Sequence, residues 1–261
     1  MSLTRRELLA LAASASLAGC SSSTGPPAAA PITVTSSAVA PSASATSPSE
    51  SSSPSAPATS HRPAPEVGHG RRTSTAVALT FHGAGPASIA RDVLRELRRD
   101  GVHATVLAVG TWLDEEPAVA RQVLDEGHDL GNHTQHHLEM RGLQAATAFR
   151  EVHDCAQRLR RLTGSTGEWF RASGTQHTTP VIRAAAGRAG YAQCLSYDVD
   201  SLDWTDPGPD AVVRAVLDHA RKGSIISLHL GHTGTVRALS AVLDGLRSRG
   251  LRPVSVSELF A

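Results

Sequence analysis

The chain has 261 residues, with 25 Lys or Arg and 24 Asp or Glu, so its formal net charge is +1 and its isoelectric point is near 7.9. This balance excludes the extended basic surface that nucleic-acid-binding proteins carry, and we expect no nucleic-acid partner. The length allows one large domain or two small ones, but the composition changes sharply near residue 73, so we expect the folded part to be shorter than the chain.

The first twenty residues predict an export signal. Arg5 and Arg6 precede an apolar run at 8–17, which is too short to cross a bilayer because a spanning helix needs about 20 apolar residues. The Arg-Arg pair resembles a twin-arginine signal, and Leu-Ala-Gly-Cys at 17–20 resembles a bacterial lipobox, whose cysteine is acylated. We therefore expect export and lipid attachment at Cys20 on the outer face of the cell membrane. The alternative is an ordinary secretory signal with an incidental cysteine.

Residues 21–73 predict a disordered linker. Ser, Ala, Pro and Thr dominate this segment, and it has almost no large apolar residue that could offset the entropy of ordering the chain. Fully extended, it would reach on the order of 170 Å at about 3.3 Å per residue. A lipid-anchored domain on such a tether would work out in the cell wall.

From residue 74 onward, short apolar runs alternate with stretches of helical period. The predicted strands, in chain order, cover 76–81, 104–109, 129–130, 168–171, 192–197, 223–230 and 253–256. The predicted helices cover 89–99, 117–126, 143–162, 179–189, 210–220 and 236–250. This alternation predicts an α/β fold with a parallel sheet and helices outside it. We expect an irregular (β/α) barrel of about seven parallel strands at 74–261.

Titratable side chains follow most of the predicted strands. In chain order these residues are His82, His133, His137, Arg171, Asp198, Asp200, Asp203 and His229. Any one of them alone would suit a surface histidine or a helix-capping aspartate. Because the carboxyl ends of parallel strands meet at one rim, where barrel enzymes carry their active sites, the whole set predicts a catalytic site.

The segment Gly-Asn-His-Thr-Gln-His-His at 131–137 is the most informative one in the chain. His133 and His137 are four residues apart, so one turn of helix would place both imidazoles on the same face. This spacing predicts two ligands of one divalent metal ion, with zinc expected and cobalt or nickel as alternatives. Cys155 and Cys194 fit no zinc pattern, and we expect them to be small buried residues rather than a disulfide.

Together these segments resemble the polysaccharide deacetylases of the NodB-homology type, carbohydrate esterase family 4. The resemblance is carried by residues 101–106, 109–110, 117–138 with the metal motif H-[ST]-x-x-H, Phe170-Arg171, 201–204, 223–229 and 246–259. It implies the NodB-type barrel and a metal-assisted hydrolase that removes N-acetyl groups from N-acetylglucosamine-type glycans such as peptidoglycan.

The resemblance also implies roles for single residues. His133 and His137 would bind the metal, and His229 would be the general acid that protonates the departing amine. Asp203 would hold His229 in the right tautomer, and Arg171 lies where the family pairs an arginine with its catalytic base. Backbone N–H groups near Gly174 would help to hold the oxyanion.

One departure from the family concerns the end of the first strand. The family reads Thr-Phe-Asp-Asp-Gly, where the first Asp is the base and the second a metal ligand, whereas 80–86 here read Thr-Phe-His-Gly-Ala-Gly-Pro. His82 could complete a three-histidine zinc site with an open position. Alternatively, His82 could be the base, kept neutral by the positive charge of Arg171. It cannot do both, and Asp198 or Asp200 could supply the missing carboxylate.

Three functions are therefore compatible with the sequence. The first is an active, surface-anchored deacetylase of a cell-envelope polysaccharide, working as a monomer. The second is a catalytically impaired carbohydrate-binding lipoprotein of the same fold. The third is a metal hydrolase of another amide or ester. The presence of His229 and Asp203 favours an enzyme. The absence of the two aspartates of the family's first motif favours a binding protein. Residues 206–208 and His177 are interpreted as plain loop.

Overall fold

A computed structural model describes residues 62–261. The expected export signal at 1–20 with Cys20, and residues 21–61 of the linker expected at 21–73, lie outside the described residues. Within residues 62–261, Cys155 and Cys194 are buried and free, and no helix is both long enough and apolar enough to span a bilayer.

Strands and helices alternate along the described part of the chain. Its strands are β1 (Glu66–Val67), β2 (Ala76–Gly83), β3 (Thr105–Ala108), β4 (Asp129–Asn132), β5 (Cys194–Leu195), β6 (Val199–Asp200), β7 (Ile225–His229) and β8 (Arg252–Val254). Its helices are α1 (Ala87–Arg99), α2 (Gly110–Glu115), α3 (Pro117–Asp125), α4 (Ala145–Thr163), α5 (Pro180–Arg188), α6 (Pro209–His219), α7 (Thr233–Ser248) and α8 (Val256–Phe260). Short 3-10 turns cover Met140–Gly142 and Asp203–Thr205.

The ladders between these strands are all parallel. The main sheet has the order β4-β3-β2-β7-β6, and β8 also pairs with β2. Beyond β4, Phe170 bridges Asn132 to Cys194 and so leads to the β1–β5 pair. The ladders do not close into a ring within residues 62–261. The expected α/β fold with parallel strands is confirmed, and the arrangement is consistent with a distorted barrel.

Strand β2 lies at the centre of the sheet, and its composition explains why. Every residue of β2 except His82 is buried, as expected for a parallel strand covered on both faces. Helix α1 packs on the sheet through Ala90, Val93, Leu94 and Leu97, which follow the predicted 3.6-residue period. Because β2 is buried, it holds His82 in a fixed position at the carboxyl rim of the sheet.

The folded part begins earlier than residue 74, which corrects the expected linker boundary. Strand β1 pairs with β5, and the backbone N–H of Ala64 donates to the carbonyl of Arg183 at 2.9 Å. Segment 62–73 has few apolar side chains, so its composition resembles a linker. It is ordered by backbone hydrogen bonds to distant elements, which composition does not reveal.

Two further differences concern short elements. The predicted strand at 168–171 is reduced to isolated bridges at Phe170, which is flanked by turns. Elements β1, β6 and α2 were not predicted, because two-residue strands and a six-residue helix are too short to show a hydrophobic period.

Candidate active site

All of the sequence-predicted residues except Asp198 lie at or near the carboxyl rim of the sheet. His82 and His229 are direct neighbours in the register of β2 and β7. His133 follows the last residue of β4, and Arg171 follows the bridging Phe170. Parallel pairing brings the ends of these strands together, although up to 147 positions separate the residues in the chain.

Three histidines form the centre of this cluster. The ring centroids of His82 and His133 are 4.3 Å apart, and those of His133 and His137 are 4.9 Å apart. One potential ligand nitrogen from each of the three rings lies within 4.8 Å of the others. The described residues therefore contain a histidine triad that could hold one metal ion.

The segment that carries His133 and His137 is a loop, so the expected helical turn is wrong. Thr134 has φ +71° and His137 has φ +57°, in the left-handed region that a right-handed helix excludes. The Asn132 side chain accepts the N–H of Thr134 at 2.8 Å, and the backbone of α2 donates to the Thr134 and Gln135 carbonyls. The two imidazoles still converge because tertiary hydrogen bonds shape the loop.

The hydrogen bonds of His133 identify the nitrogen that is available to a ligand. Its Nδ1 lies 3.0 Å from the carbonyl oxygen of Arg171, which can only accept, so Nδ1 carries the proton. Its Nε2 is buried and has no hydrogen-bond partner among the described residues. Since burying an unsatisfied acceptor is costly, this nitrogen and the donor set around it fit a divalent metal such as zinc.

His82 has a different environment from His133. Arg171 Nη1 lies 3.1 Å from His82 Nε2, and a guanidinium can only donate, so Nε2 accepts and a neutral ring holds its proton on Nδ1. Ser227 Oγ lies 3.2 Å from the same Nε2. In this arrangement the lone pair on Nε2 already accepts a hydrogen bond from Arg171, so His82 can act as a base only if that contact breaks. His82 can bind a metal through Nδ1 only if the Nδ1 proton moves to Nε2. Ser227 Oγ, rather than Arg171, would then be the partner of Nε2.

All three triad histidines favour the neutral form that metal binding requires. Burial lowers the pKa of His82 and of His133 well below 6.5, with further lowering from neighbouring imidazoles and Arg171. Burial also lowers the pKa of His137, and His229 adds to this effect. For His82, burial is therefore the leading cause, and the expected effect of Arg171 is a smaller one.

Arg171 is fully buried and forms no ion pair with a carboxylate within residues 62–261. Its guanidinium donates instead to Thr80 Oγ1 at 2.9 Å and to the Ser196 carbonyl at 3.1 Å, besides His82. Burial lowers the pKa of Arg171 to about 9, so the side chain stays positively charged at neutral pH. The hydrogen-bond partners of this buried cation are therefore all neutral groups.

His229 and Asp203 form a tightly bonded pair. Asp203 Oδ1 lies 2.7 Å from His229 Nδ1, while Oδ2 accepts the backbone N–H of His229 at 2.8 Å and Thr235 Oγ1 at 2.6 Å. Burial alone would raise the pKa of Asp203, but the hydrogen bonds from His229 and Thr235 outweigh it, and the pKa is lowered. A carboxylate at Nδ1 fixes the tautomer of His229 and turns Nε2 to the cavity.

The two aspartates considered as substitutes lie in different places. Asp198 accepts from Arg72 at 2.7 Å and from the N–H of Ile225 at 2.8 Å, at the amino end of β7. It is therefore at the wrong end of the sheet to replace the missing carboxylate. Asp200, in contrast, lines the same cavity as His82 and His229.

The cavity beside the triad has a volume of about 480 Å³ and includes residues that the sequence reasoning missed. Its lining residues are His82, His137, Ala172, Gly174, Thr175, Gln176, Tyr197, Asp200, Trp204, His229 and His232. Tyr197 lies over the guanidinium of Arg171, 5.1 Å from it, and His232 lies beside His229. His232 could have been found as the second histidine after β7, three residues beyond His229. Nothing in the local sequence marks Tyr197.

The chain is similar to known polysaccharide deacetylases. The family model described as Polysaccharide deacetylase matches residues 69–194. The chain is 32% identical over 188 residues to a peptidoglycan-N-acetylglucosamine deacetylase of Bacillus cereus, covering 70% of this chain and 87% of that protein. It is 31% identical over 202 residues to a chitooligosaccharide deacetylase of Bradyrhizobium sp., covering 67% of this chain and 86% of that protein.

A solved structure with the same fold is that of a CE4 family pseudoenzyme from Bacillus anthracis. Its TM-score is 0.70 at 24% identity, covering 76% of this chain and 69% of that one, and at this identity the likeness concerns the fold alone. The two sequence relatives, whose lengths the chain largely covers, carry the assignment. On this basis, the chain belongs to the polysaccharide deacetylase family.

Proposed function

We propose that the protein is a metal-dependent hydrolase that removes N-acetyl groups from a cell-envelope polysaccharide, either peptidoglycan or another N-acetylglucosamine-type glycan. The observation that carries this proposal is the buried, unpartnered Nε2 of His133 in a histidine triad, beside the His229–Asp203 pair. The names of the relatives from Bacillus cereus and Bradyrhizobium support the substrate class.

Each residue has a defined task in this proposal. His133 and His137, with His82 as the third ligand, would hold the metal, which supplies a Lewis acid for the amide carbonyl and an activated water. His229 donates a proton from Nε2 to the departing nitrogen, and Asp203 keeps the other ring nitrogen protonated. Gly174 lines the cavity, and its backbone N–H remains the proposed oxyanion donor.

A second function is favoured by one specific observation. The end of β2 carries His82 and Gly83 where the family has two aspartates, and Arg171 has no carboxylate partner within residues 62–261. These losses are compatible with a carbohydrate-binding lipoprotein that no longer turns its ligand over. The pseudoenzyme from Bacillus anthracis supports this alternative only weakly, because its likeness concerns the fold.

Metal content and acetate release, measured together, test the proposal. The purified chain should retain one divalent ion and release acetate from peptidoglycan or chito-oligosaccharides, and a chelator should abolish the release. The His133→Ala, His137→Ala double variant should lose both properties, while His153→Gln, an exposed change on α4, should keep both. Normal metal content in the double variant would exclude these ligands. Absence of acetate release with added zinc, cobalt or nickel would favour the binding protein.

We also propose that the protein is exported and anchored through a lipid on Cys20, so that the catalytic domain reaches the cell wall. The twin-arginine-like start and the lipobox-like segment at 17–20 support this location. A monomer acting on a polymeric substrate would need no partner other than the membrane.

A further inference from the structure

His232, which lines the same cavity, belongs to a second histidine–aspartate pair. His232 Nδ1 is 2.9 Å from Asp206 Oδ1, and the His232 ring is 5.8 Å from that of His229. Asp206 comes three residues after Asp203, and His232 comes three residues after His229. The two segments that build the acid pair therefore build this second pair as well.

The bond to Asp206 determines which nitrogen His232 presents. An ionised carboxylate only accepts, so Nδ1 carries the proton and Nε2 of the neutral ring is an acceptor. Within the described part of the chain, no protein group bonds to that Nε2, and the ring lines the cavity. Asp206 holds its position at φ +51°, a left-handed conformation that aspartate tolerates better than most residues.

This pair differs from the His229–Asp203 pair in ways that argue against a second proton-transfer role. The Asp203 side chain is 0% exposed, whereas that of Asp206 is 69% exposed. The His229 ring lies 4.3 Å from that of His82, a member of the triad. The His232 ring, in contrast, lies beside His229. His232 is thus placed for binding at the outer part of the cavity rather than for chemistry at its centre.

Trp204 completes this outer part of the cavity. It lies between the two aspartates in the 3-10 turn, lines the cavity and is 53% exposed. An aromatic ring in the same cavity as an oriented hydrogen-bond acceptor suits a sugar, which presents C–H groups on its faces and hydroxyl groups at its edges. A small amide such as acetamide has no hydroxyl group to meet His232.

We propose that His232, oriented by Asp206, accepts a hydrogen bond from a hydroxyl group of the sugar chain bound against Trp204. The site then selects an oligosaccharide over a small amide, which narrows the substrate class of the proposed function and rests on it. His232 is a substrate-contact residue, and Asp206 is a positioning residue.

The test is the affinity of the 261-residue chain for tetra-N-acetylchitotetraose, measured by calorimetry with a chelator present so that turnover does not consume the ligand. Loss of one neutral hydrogen bond in His232→Leu should weaken binding about five- to tenfold. Asp206→Asn should weaken it less, and His232→Gln, which keeps an acceptor, should restore part of the affinity. Metal content and unfolding temperature should stay unchanged in all three variants.

The matched control is His219→Leu on α6, where an exposed ring bonds to the carbonyl of Ala215 in its own helix. This variant should bind as the wild type does. Equal affinities of His232→Leu and wild type would overturn the contact and leave the deacetylase proposal intact. Wild-type binding without acetate release would refute the deacetylase alone, and a wild type that binds no tetraose would refute the contact.

Discussion

His82 lies where the resemblance to the family predicts an aspartate. Its position at the end of β2 could be predicted from the motif, but the partner of each of its nitrogens could not. Arg171, 89 residues away, donates to Nε2 and so decides the tautomer. Whether His82 can act as a ligand or as a base therefore depends on the position of its ring proton. The ligand role stays a prediction, and it requires that proton to leave Nδ1.

Asp203 gives a sharper test of the acid pair. Asp203→Asn keeps the volume but places an amide beside His229 Nδ1, so the ring loses the partner that fixes its tautomer. If the chain is an active deacetylase, acetate release should fall by roughly 10²–10⁴-fold while metal content stays normal. Asp244→Asn, an exposed change on α7, is the control. Unchanged acetate release in Asp203→Asn would remove this residue from the mechanism.

The pKa of Asp203 also predicts a stability effect. Because its folded-state pKa lies below the ordinary 3.8, the carboxylate stabilises the fold above that pH. This contribution is lost as the pH falls through the folded-state value. The Asn variant should therefore be less stable at pH 7, by about 1.5–3 kcal/mol for a lost charged hydrogen bond, and the gap should narrow at low pH.

At the scale of elements, the loop after β4 shows that the spacing of a motif can predict the wrong local structure. Spacing of four residues predicts a helical turn, yet Thr134 and His137 adopt positive φ. Gly131, the last but one residue of β4, allows this strand to pack closely against the backbone of Trp169. A Cβ there would lie 2.6 Å from the Trp169 carbonyl oxygen, so only glycine lets β4 approach this neighbouring backbone. The motif preserves the ligands, while the neighbours set their conformation.

Glu151 on α4 is expected to hold the metal loop in place. Its side chain is only 5% exposed and accepts the His136 N–H at 2.9 Å and His136 Nδ1 at 2.7 Å. Glu151→Gln replaces one acceptor by an amide donor, so the loop between His133 and His137 should loosen. We expect zinc affinity to fall roughly tenfold, as when outer partners of metal sites are changed.

A competition titration with a chromophoric chelator measures that affinity. The control is Asp154→Asn, an exposed change on the same helix. If Glu151→Gln binds zinc as tightly as the wild type, the loop needs no anchor on α4. Its other hydrogen bonds, to Asn132, α2 and Arg171, would then be enough to position the triad.

At the scale of the whole molecule, composition predicts an export signal, a linker and a folded domain. The domain extends back to residue 62, because β1 pairs with β5 although its segment has a linker-like composition. Export and anchoring remain proposals, since their residues lie outside the described part of the chain.

Lipid attachment can be tested in cells that express the full chain. A labelled fatty acid should be incorporated into the wild type, and Cys20→Ser should abolish labelling and release the protein from the membrane fraction. The matched control is Cys155→Ser, because this buried thiol should not be acylated. Label that persists in Cys20→Ser would refute attachment at this residue.

The sequence by itself determined the alternation of strands and helices, the rim at which the titratable residues meet, and the family. These follow from hydrophobic periods and short motifs, which are local properties of the chain. Only the tertiary structure decided three other features. Asp198 lies away from the cavity, Asp206 accepts a hydrogen bond from His232, and Arg171 donates one to His82 Nε2. Each of these outcomes depends on a hydrogen bond between residues 26 or more positions apart, whose direction no local pattern encodes.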